Sequence, residues 1–309
     1  KNVLGYPYHD ELSALTPNHP VILRHASGHA LFANKAAMDI AGVTAESVSP
    51  LGGEIVKDGN GQVIGVFEER AMGIISQVFQ NYKSTFSEAE LKDEWLRAIE
   101  KAEEGCLENG VTSFQDAGTC FYDMEGYTER AEAGEMRVRL YSMLRHSAED
   151  MAPVLNEYPI IGLGNDFFTC RAIKTEVDGA LGAFGAWLLK PYNDKDGFHG
   201  QNTTSIDEVR AIAALAEEHG MQLCVHAIGD RANKEVLDIM EKSFTGQEAN
   251  DYRWRIEHAQ HLDTADIPRF REMGIIASMQ GIHCTSDAPF VESRLGEVRS
   301  KYGAYPWRT

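Results

Sequence analysis

Three residues sit where strand-like runs end and carry side chains able to do chemistry at neutral pH. Lys174 follows the apolar run of "FFTCRAIKTEVDG" (167–179), His226 follows "QLCV", and His258, after Glu257, follows "RWRI". Neutral imidazole is the commonest nitrogen ligand of zinc, and two histidines at equivalent ends of consecutive strands can point at one ion. A histidine alone at a strand end is as readily a hydrogen-bonded structural residue. Lys174 leaves three chemistries open. A lysine behind an apolar run must be neutralised or bonded, so it could be the ion-pair partner of Glu176 or Asp178. It could form a Schiff base with a carbonyl substrate. Its amine could also take up carbon dioxide and become an anionic ligand. Asp116, ending "VTSFQDAG" (111–118), could cap the next helix. His25 and His29 read as hydrogen-bonding residues, and Asp287, in "TSDAPF", as a loop residue starting a turn.

Elements of a particular kind must position these residues. From about Glu88 onward, strand and helix signals alternate. A helical pattern through "ELKDEWLRAIEKAEEGCLENG" precedes the run ending at Asp116. "RVRLYSML", "FFTCRAIKTEVDG", "QLCVHAIGD", "RWRIEHAQ" and "GIIASMQG" are the further strands. "SIDEVRAIAALAEEHG", with its capping serine and closing glycine, is one of the intervening helices. The strand ends are spaced 28, 30, 52, 32 and 22 residues apart, mostly matching a βαβ unit of roughly 30 residues. Apolar strands separated by helices imply a parallel sheet covered on both faces. The widest gap holds "DGALGAFGAWLLKPYNDKDGFHGQ", a glycine- and aromatic-rich loop of the kind that forms a lid. Six strands fit either a doubly wound sheet or part of a (β/α)₈ barrel, in which the strand C-terminal ends carry the active site. The first 85 or so residues do not read as strand–helix units. They hold a helical "HALFANKAAMDIAG" and a hairpin "GEIVKDGNGQVIGVFEE" with a turn at "DGNG", and residues 1–87 read as an inserted subdomain, with 88–309 as the barrel part.

Composition narrows the partners. The 309 residues are 43% hydrophobic and 25% charged, with a formal net charge of −18. Nucleic-acid binding needs a basic face, so no nucleic acid is expected. No apolar run approaches the roughly 20 residues of a membrane span, and no membrane association is expected. The expected partner is a small molecule. Five cysteines in no close pair point to a reducing, cytoplasmic setting and exclude a disulfide framework. Cys170, Cys224 and Cys284 read as core filler.

"IKTEVDGALG", "VHAIGDRA", "RIEHAQHL" and "ASMQGIHCTSD", in that order, resemble the metal-dependent amidohydrolase superfamily, in the branch similar to N-substituted formamide deformylase. "VILRHASGHALFANKAAMDIAGV" and "GGEIVKDGNGQVIGVFEE" resemble the segment that this branch carries before its second barrel strand. The resemblance implies an α/β fold, a (β/α)₈ TIM-like barrel represented here by strands two to seven, with the inserted subdomain before it. It implies zinc or another divalent metal, one or two per full-length enzyme, and hydrolysis of a C–N bond in an amide-like substrate. Lys174 matches the strand-four lysine, often carbamylated, and His226 and His258 match the histidines of strands five and six, so these three are the implied catalytic and metal-binding residues. Asp178 and Trp187, in or beside the glycine-rich loop, and His29 and Asn34 are the implied substrate-binding residues. Two family elements have no counterpart: the chain has no His-x-His pair, and Asp287 follows the seventh strand directly instead of ending an eighth. The chain therefore reads as the middle of a longer enzyme, binding at most one metal weakly, with open sheet edges favouring association into a homo-oligomer. A lysine Schiff-base lyase using Lys174 and a catalytically incompetent fragment are the rival readings.

Overall fold

The computed structural model describes residues 5–25, 28–244 and 252–306. It divides into two compact units, Lys1–Leu96 and Arg97–Thr309, the division falling within the helix Glu88–Glu108.

The first unit is built on a four-stranded antiparallel sheet. Its strands are β1 (Ile22–Arg24), β2 (Ala30–Ala33), β3 (Gly53–Lys57) and β4 (Val63–Glu69), in the order β1-β2-β4-β3. β3 and β4 are the hairpin expected from "DGNG". The Asp58 carboxylate accepts from the backbone N–H groups of Asn60 and Gln62, both at 2.9 Å, which holds the turn. Both faces of β4 are buried. Phe67 joins Leu31, Met38, Ile55 and Ile75 on one side, and Ile64 and Val66 pack with Val56 on the other. The expected helix over "HALFANKAAMDIAG" is only half correct. Ala30–Ala33 is a strand, because β1 and β4 flank it and take up its backbone hydrogen bonds, and this pairing overrides the helix preference of alanine and leucine. The helix begins at Lys35, after Asn34, whose side chain accepts from the Ala37 N–H.

The second unit contains β5 (Ser113–Thr119), β6 (Arg139–Leu144), β7 (Ile160–Gly162), β8 (Phe168–Glu176), β9 (Gln222–Ala227), β10 (Arg255–His258) and β11 (Ile276–Ser278). Six of these form one parallel sheet in the order β11-β10-β9-β8-β6-β5. They are the six strands expected from the sequence. The seventh, β7, pairs antiparallel with β8 through Ile160 and Cys170, and is too short to signal itself in sequence. Helices Phe121–Ala133, Ile206–Glu218, Asp230–Phe244 and Ile267–Met273 follow β5, β8, β9 and β10. Their ends obey local chemistry. Ser205 caps Ile206–Glu218 by accepting from the Glu208 N–H, and Gly134 (φ +71°) and Gly274 (φ +67°) close two others in the left-handed conformation that glycine tolerates.

The sheet is curved. Arg255 on β10 donates to Gln115 Oε1 on β5 at 2.8 Å, although β9, β8 and β6 lie between these strands in the sheet. Tyr141 on β6 likewise donates to Gln222 Oε1 on β9 at 2.8 Å. Only a sheet rolled towards a barrel brings such side chains together, so the architecture is a parallel half-barrel with helices outside. β5 and β11 are the outer strands of this sheet. Phe114 and Ile276 on them are 51% and 43% exposed, unlike the buried β8 and β9.

Candidate functional site

Register decides which side chains share the concave face. Lys174 on β8 lies opposite Cys224 on β9, and Cys224 opposite Arg255 on β10. Two residues further along each strand, Glu176, His226 and Glu257 form the next row. Side chains two apart on a strand point to the same face. Arg255 reaches Gln115 and Met143 across the curve, and Cys224 packs with Met143 and Ala172 inside it. Both rows therefore face inward, with the row containing His226 nearer the C-terminal ends, where barrel enzymes carry their chemistry.

His258 does not follow this alternation. Glu257 already faces inward, so a regular strand would turn His258 outward. The backbone breaks instead: His258 has φ +75° and Ala259 φ +41°, a left-handed pair of non-glycine residues costing roughly 1–3 kcal/mol each. The turn brings the His258 ring edge-on to that of His226, centroids 4.5 Å apart, and to that of His283, 5.4 Å apart. Such strain persists where the surroundings over-determine it, commonly at functional sites.

Burial sets the electrostatics. Lys174 is 7% exposed. Desolvation lowers its pKa from 10.5 to about 8, with Arg145 adding to the fall and Glu176 and Glu257 opposing it. Its Nζ donates to the Thr175 carbonyl at 3.0 Å. The two glutamates have their own cations: Glu176 pairs with Arg145, and Glu257 with Arg255 at 2.5 Å. Burial, helped by the charges of His283 and Lys174, lowers the His258 pKa to about 4, so this imidazole is neutral at physiological pH.

The loop after β8 is tied to the site through Asp178, a fully buried carboxylate. It accepts from the backbone N–H groups of Trp187 (2.8 Å), Ile228 (2.9 Å) and Gly229 (2.8 Å), and its Oδ1 lies 3.5 Å from His226 Nε2. The glycine of "VHAIGD" is explained by this approach. A Cβ on Gly229 would lie 2.1 Å from the Trp187 carbonyl oxygen. The Trp187 indole lies under the Arg231 guanidinium, 4.3 Å from the ring centroid. Leu181, Phe184 and Leu188 of the same loop pack with Ile228 and Leu295.

The other expected substrate contacts, His29 and Asn34, belong to the first unit. His29 Nδ1 lies 3.1 Å from Glu69 Oε2. Asn34 is fully buried; its oxygen accepts from the N–H groups of Val21 and Ala37, and its nitrogen donates to Thr16 and to the His19 carbonyl. Asp116 lies within β5, where Thr119 donates to it, and burial raises its pKa.

Three further sequence expectations need correction. Asp287 is not in a loop but ends the helix Ile282–Asp287. It is buried, accepting from Gln260 (2.6 Å), Tyr305 (2.9 Å) and Ser286 (2.9 Å), because residues 303–305 fold back against the segment after β10. Cys284 is exposed on the same helix instead of filling the core, since the "GIIASMQG" strand stops at Ser278. Lys174 lies two residues before the end of its strand. Sequence reasoning missed Gln280 and His283, which follow β11. Gln280 Oε1 is 2.6 Å from His258 Nδ1 and 3.1 Å from His283 Nε2. The only sequence signal was their place, beyond the next strand in the series that carries His226 and His258.

The donors present suit a metal in part. Among the described residues no three His, Cys, Asp or Glu side chains gather in a metal-binding group. Two imidazoles meet, however, one of them neutral, and Lys174, whose pKa burial lowers to about 8, lies on the same inner face.

The profile described as "Amidohydrolase family" matches residues 4–309. YtcJ of Bacillus subtilis, whose name assigns it provisionally to the amidohydrolases, is 32% identical over 303 residues, covering 97% of this chain and 54% of YtcJ. N-substituted formamide deformylase of Arthrobacter pascens is 29% identical over 277 residues, covering 87% and 49%. The crystal structure of an uncharacterized metal-dependent hydrolase from Pyrococcus furiosus superposes with a TM-score of 0.68 at 23% identity, over 96% of this chain and 57% of that one, and supports the fold. The chain spans about half the length of the curated relatives it matches.

Proposed function

The chain belongs to the amidohydrolase family, and from that premise we propose that it forms the metal-holding part of a hydrolase acting on the C–N bond of amide-like substrates. The observation that carries this reading is the meeting of the His226 and His258 rings at the strand ends, one of them through a strained backbone, on the face of the sheet that also carries the buried Lys174. His226 and His258 would hold a divalent metal such as zinc, with Lys174 as the third ligand. When bound, such an ion lowers the pKa of water to about 7 and polarises a carbonyl. Asp178 keeps the loop after β8 beside His226 by fixing Trp187, Ile228 and Gly229. Lys174 would act as its carbamate: the neutral amine adds to carbon dioxide, a C–N bond forms as one C=O π bond opens onto oxygen, and the nitrogen then loses one proton to solvent. A pKa of about 8 gives an appreciable neutral fraction for that addition. We read residues 1–87 as a subdomain inserted before the second barrel strand, and Asp178 and Trp187 as shaping the small-molecule site.

The same low pKa supports a second reading, in which Lys174 forms a Schiff base with a carbonyl substrate. That reading has no use for the paired histidines of the next two strands. All five cysteines are unpaired, which supports a reducing compartment such as the cytoplasm, and among the described residues no helix is long and apolar enough to cross a membrane.

Metal analysis of the purified chain after zinc loading and dialysis tests the proposal, alongside an assay on formamides and amides. At most one zinc per chain is expected, weakly held, and lost in His226→Ala, His258→Ala and Lys174→Met. Zinc retained by all three variants would sink it. Borohydride trapping of a carbonyl compound on Lys174, with no zinc bound, would favour the lyase.

A further inference from the structure

Gln280, two residues beyond β11, makes three contacts with its side-chain amide. Its nitrogen donates to the Ser278 carbonyl at 2.9 Å, and its oxygen lies 2.6 Å from His258 Nδ1 and 3.1 Å from His283 Nε2. The Ser278 carbonyl can only accept. The amide nitrogen must therefore be the end that faces it, which turns the amide oxygen to both rings. That oxygen also only accepts, so each facing ring nitrogen must carry a proton. Above the ordinary histidine pKa of about 6.5 an imidazole is neutral and carries one proton. With Nδ1 protonated, Nε2 is left with its lone pair. In water a free histidine side chain prefers the opposite tautomer, with the proton on Nε2, so the observed arrangement has to be imposed.

We infer that Gln280 is the positioning residue that imposes it: through one carbonyl oxygen it holds His258 in the Nδ1–H tautomer, so that Nε2 is the atom offered to the site, and it orders His283 alongside. This deepens the metal reading above and rests on it for its functional meaning. The tautomer itself follows from hydrogen-bond geometry without any ion. An outer hydrogen bond of this kind fixes both the ring orientation and the donor atom of a ligating histidine, and its loss typically costs 10–100-fold in metal affinity.

The test uses the 309-residue chain labelled with ¹⁵N-histidine, stripped of metal, with two-bond ¹H–¹⁵N spectra recorded at pH 8. His258 and His283 are assigned from His258→Ala and His283→Ala. The expected spectrum shows a protonated Nδ1 and an unprotonated Nε2 on His258. Gln280→Leu should move His258 to a mixture rich in Nε2–H. Gln280→Glu, whose carboxylate still accepts, should keep the original tautomer. Amide ¹H–¹⁵N spectra check that each variant is folded. Wild-type His258 carrying its proton on Nε2, or a tautomer unchanged in folded Gln280→Leu, overturns the inference. Zinc titration against a chromophoric chelator then separates the two proposals. Affinity reduced 10–100-fold by Gln280→Leu and restored by Gln280→Glu upholds both. The expected tautomers with no zinc bound even by the wild type uphold this inference and sink the metal reading.

Discussion

Replacing Lys174 by methionine should make the metal-free chain more stable at neutral pH. The side chain is 7% exposed, and burial lowers its pKa from 10.5 to about 8. One pH unit corresponds to about 1.4 kcal/mol, so the ammonium form costs the folded chain about 3 kcal/mol more than the unfolded one. Methionine is similar in length and carries no charge. The substitution gives up the bond from Nζ to the Thr175 carbonyl, worth about 1 kcal/mol, which leaves a net gain of about 2 kcal/mol. The neighbouring carboxylates keep Arg145 and Arg255 as partners, so no buried charge is stranded. The sign with pH follows from linkage. The unfolded chain holds the Lys174 proton more tightly, so the cost is fully present below pH 8, shrinks as pH rises from about 8 to 10.5, and is gone above that. The assay is urea unfolding at pH 7 and at pH 10.5, after chelator treatment and in carbon dioxide-free buffer. The variant should be the more stable at pH 7, and the advantage should disappear at pH 10.5. A variant less stable at pH 7, or a gap independent of pH, would refute the buried ammonium as the dominant effect.

Two further outcomes test other parts of the site. Asp178→Asn turns an amide N–H₂ towards at least one of the three backbone N–H donors that the carboxylate now accepts from. A loss of at least about 2 kcal/mol is expected, read as a lower unfolding midpoint; an unchanged midpoint would mean that the loop after β8 is not held this way. Cys284 is exposed, while Cys170 and Cys224 are fully buried with thiol pKa values pushed up to about 12. Ellman's reagent should modify Cys284 rapidly and Cys170 and Cys224 only after unfolding, as mass mapping of the labelled peptides would show.

The sequence by itself determined the six parallel strands and the placing of Lys174, His226 and His258 towards their ends. These are local properties: apolar runs of strand length, helical periodicity between them, and serine and glycine at helix ends. It also determined the β3–β4 hairpin, since "DGNG" carries its own turn chemistry. Only the tertiary structure decided which way His258 faces. The period of two turns Glu257 inward and His258 outward, and a left-handed backbone at His258, supported by contacts with Gln280 and His226, reverses that. Only the tertiary structure made a strand of Ala30–Ala33, because partners far along the chain supply its hydrogen bonds. The burial of Asp287 and the convergence of Gln280 and His283 on His258 depend likewise on how the segments after β10 and β11 fold against one another. Register, curvature and the direction of a side chain at a strand end are fixed by neighbours distant in sequence, and no local pattern of residue types encodes them.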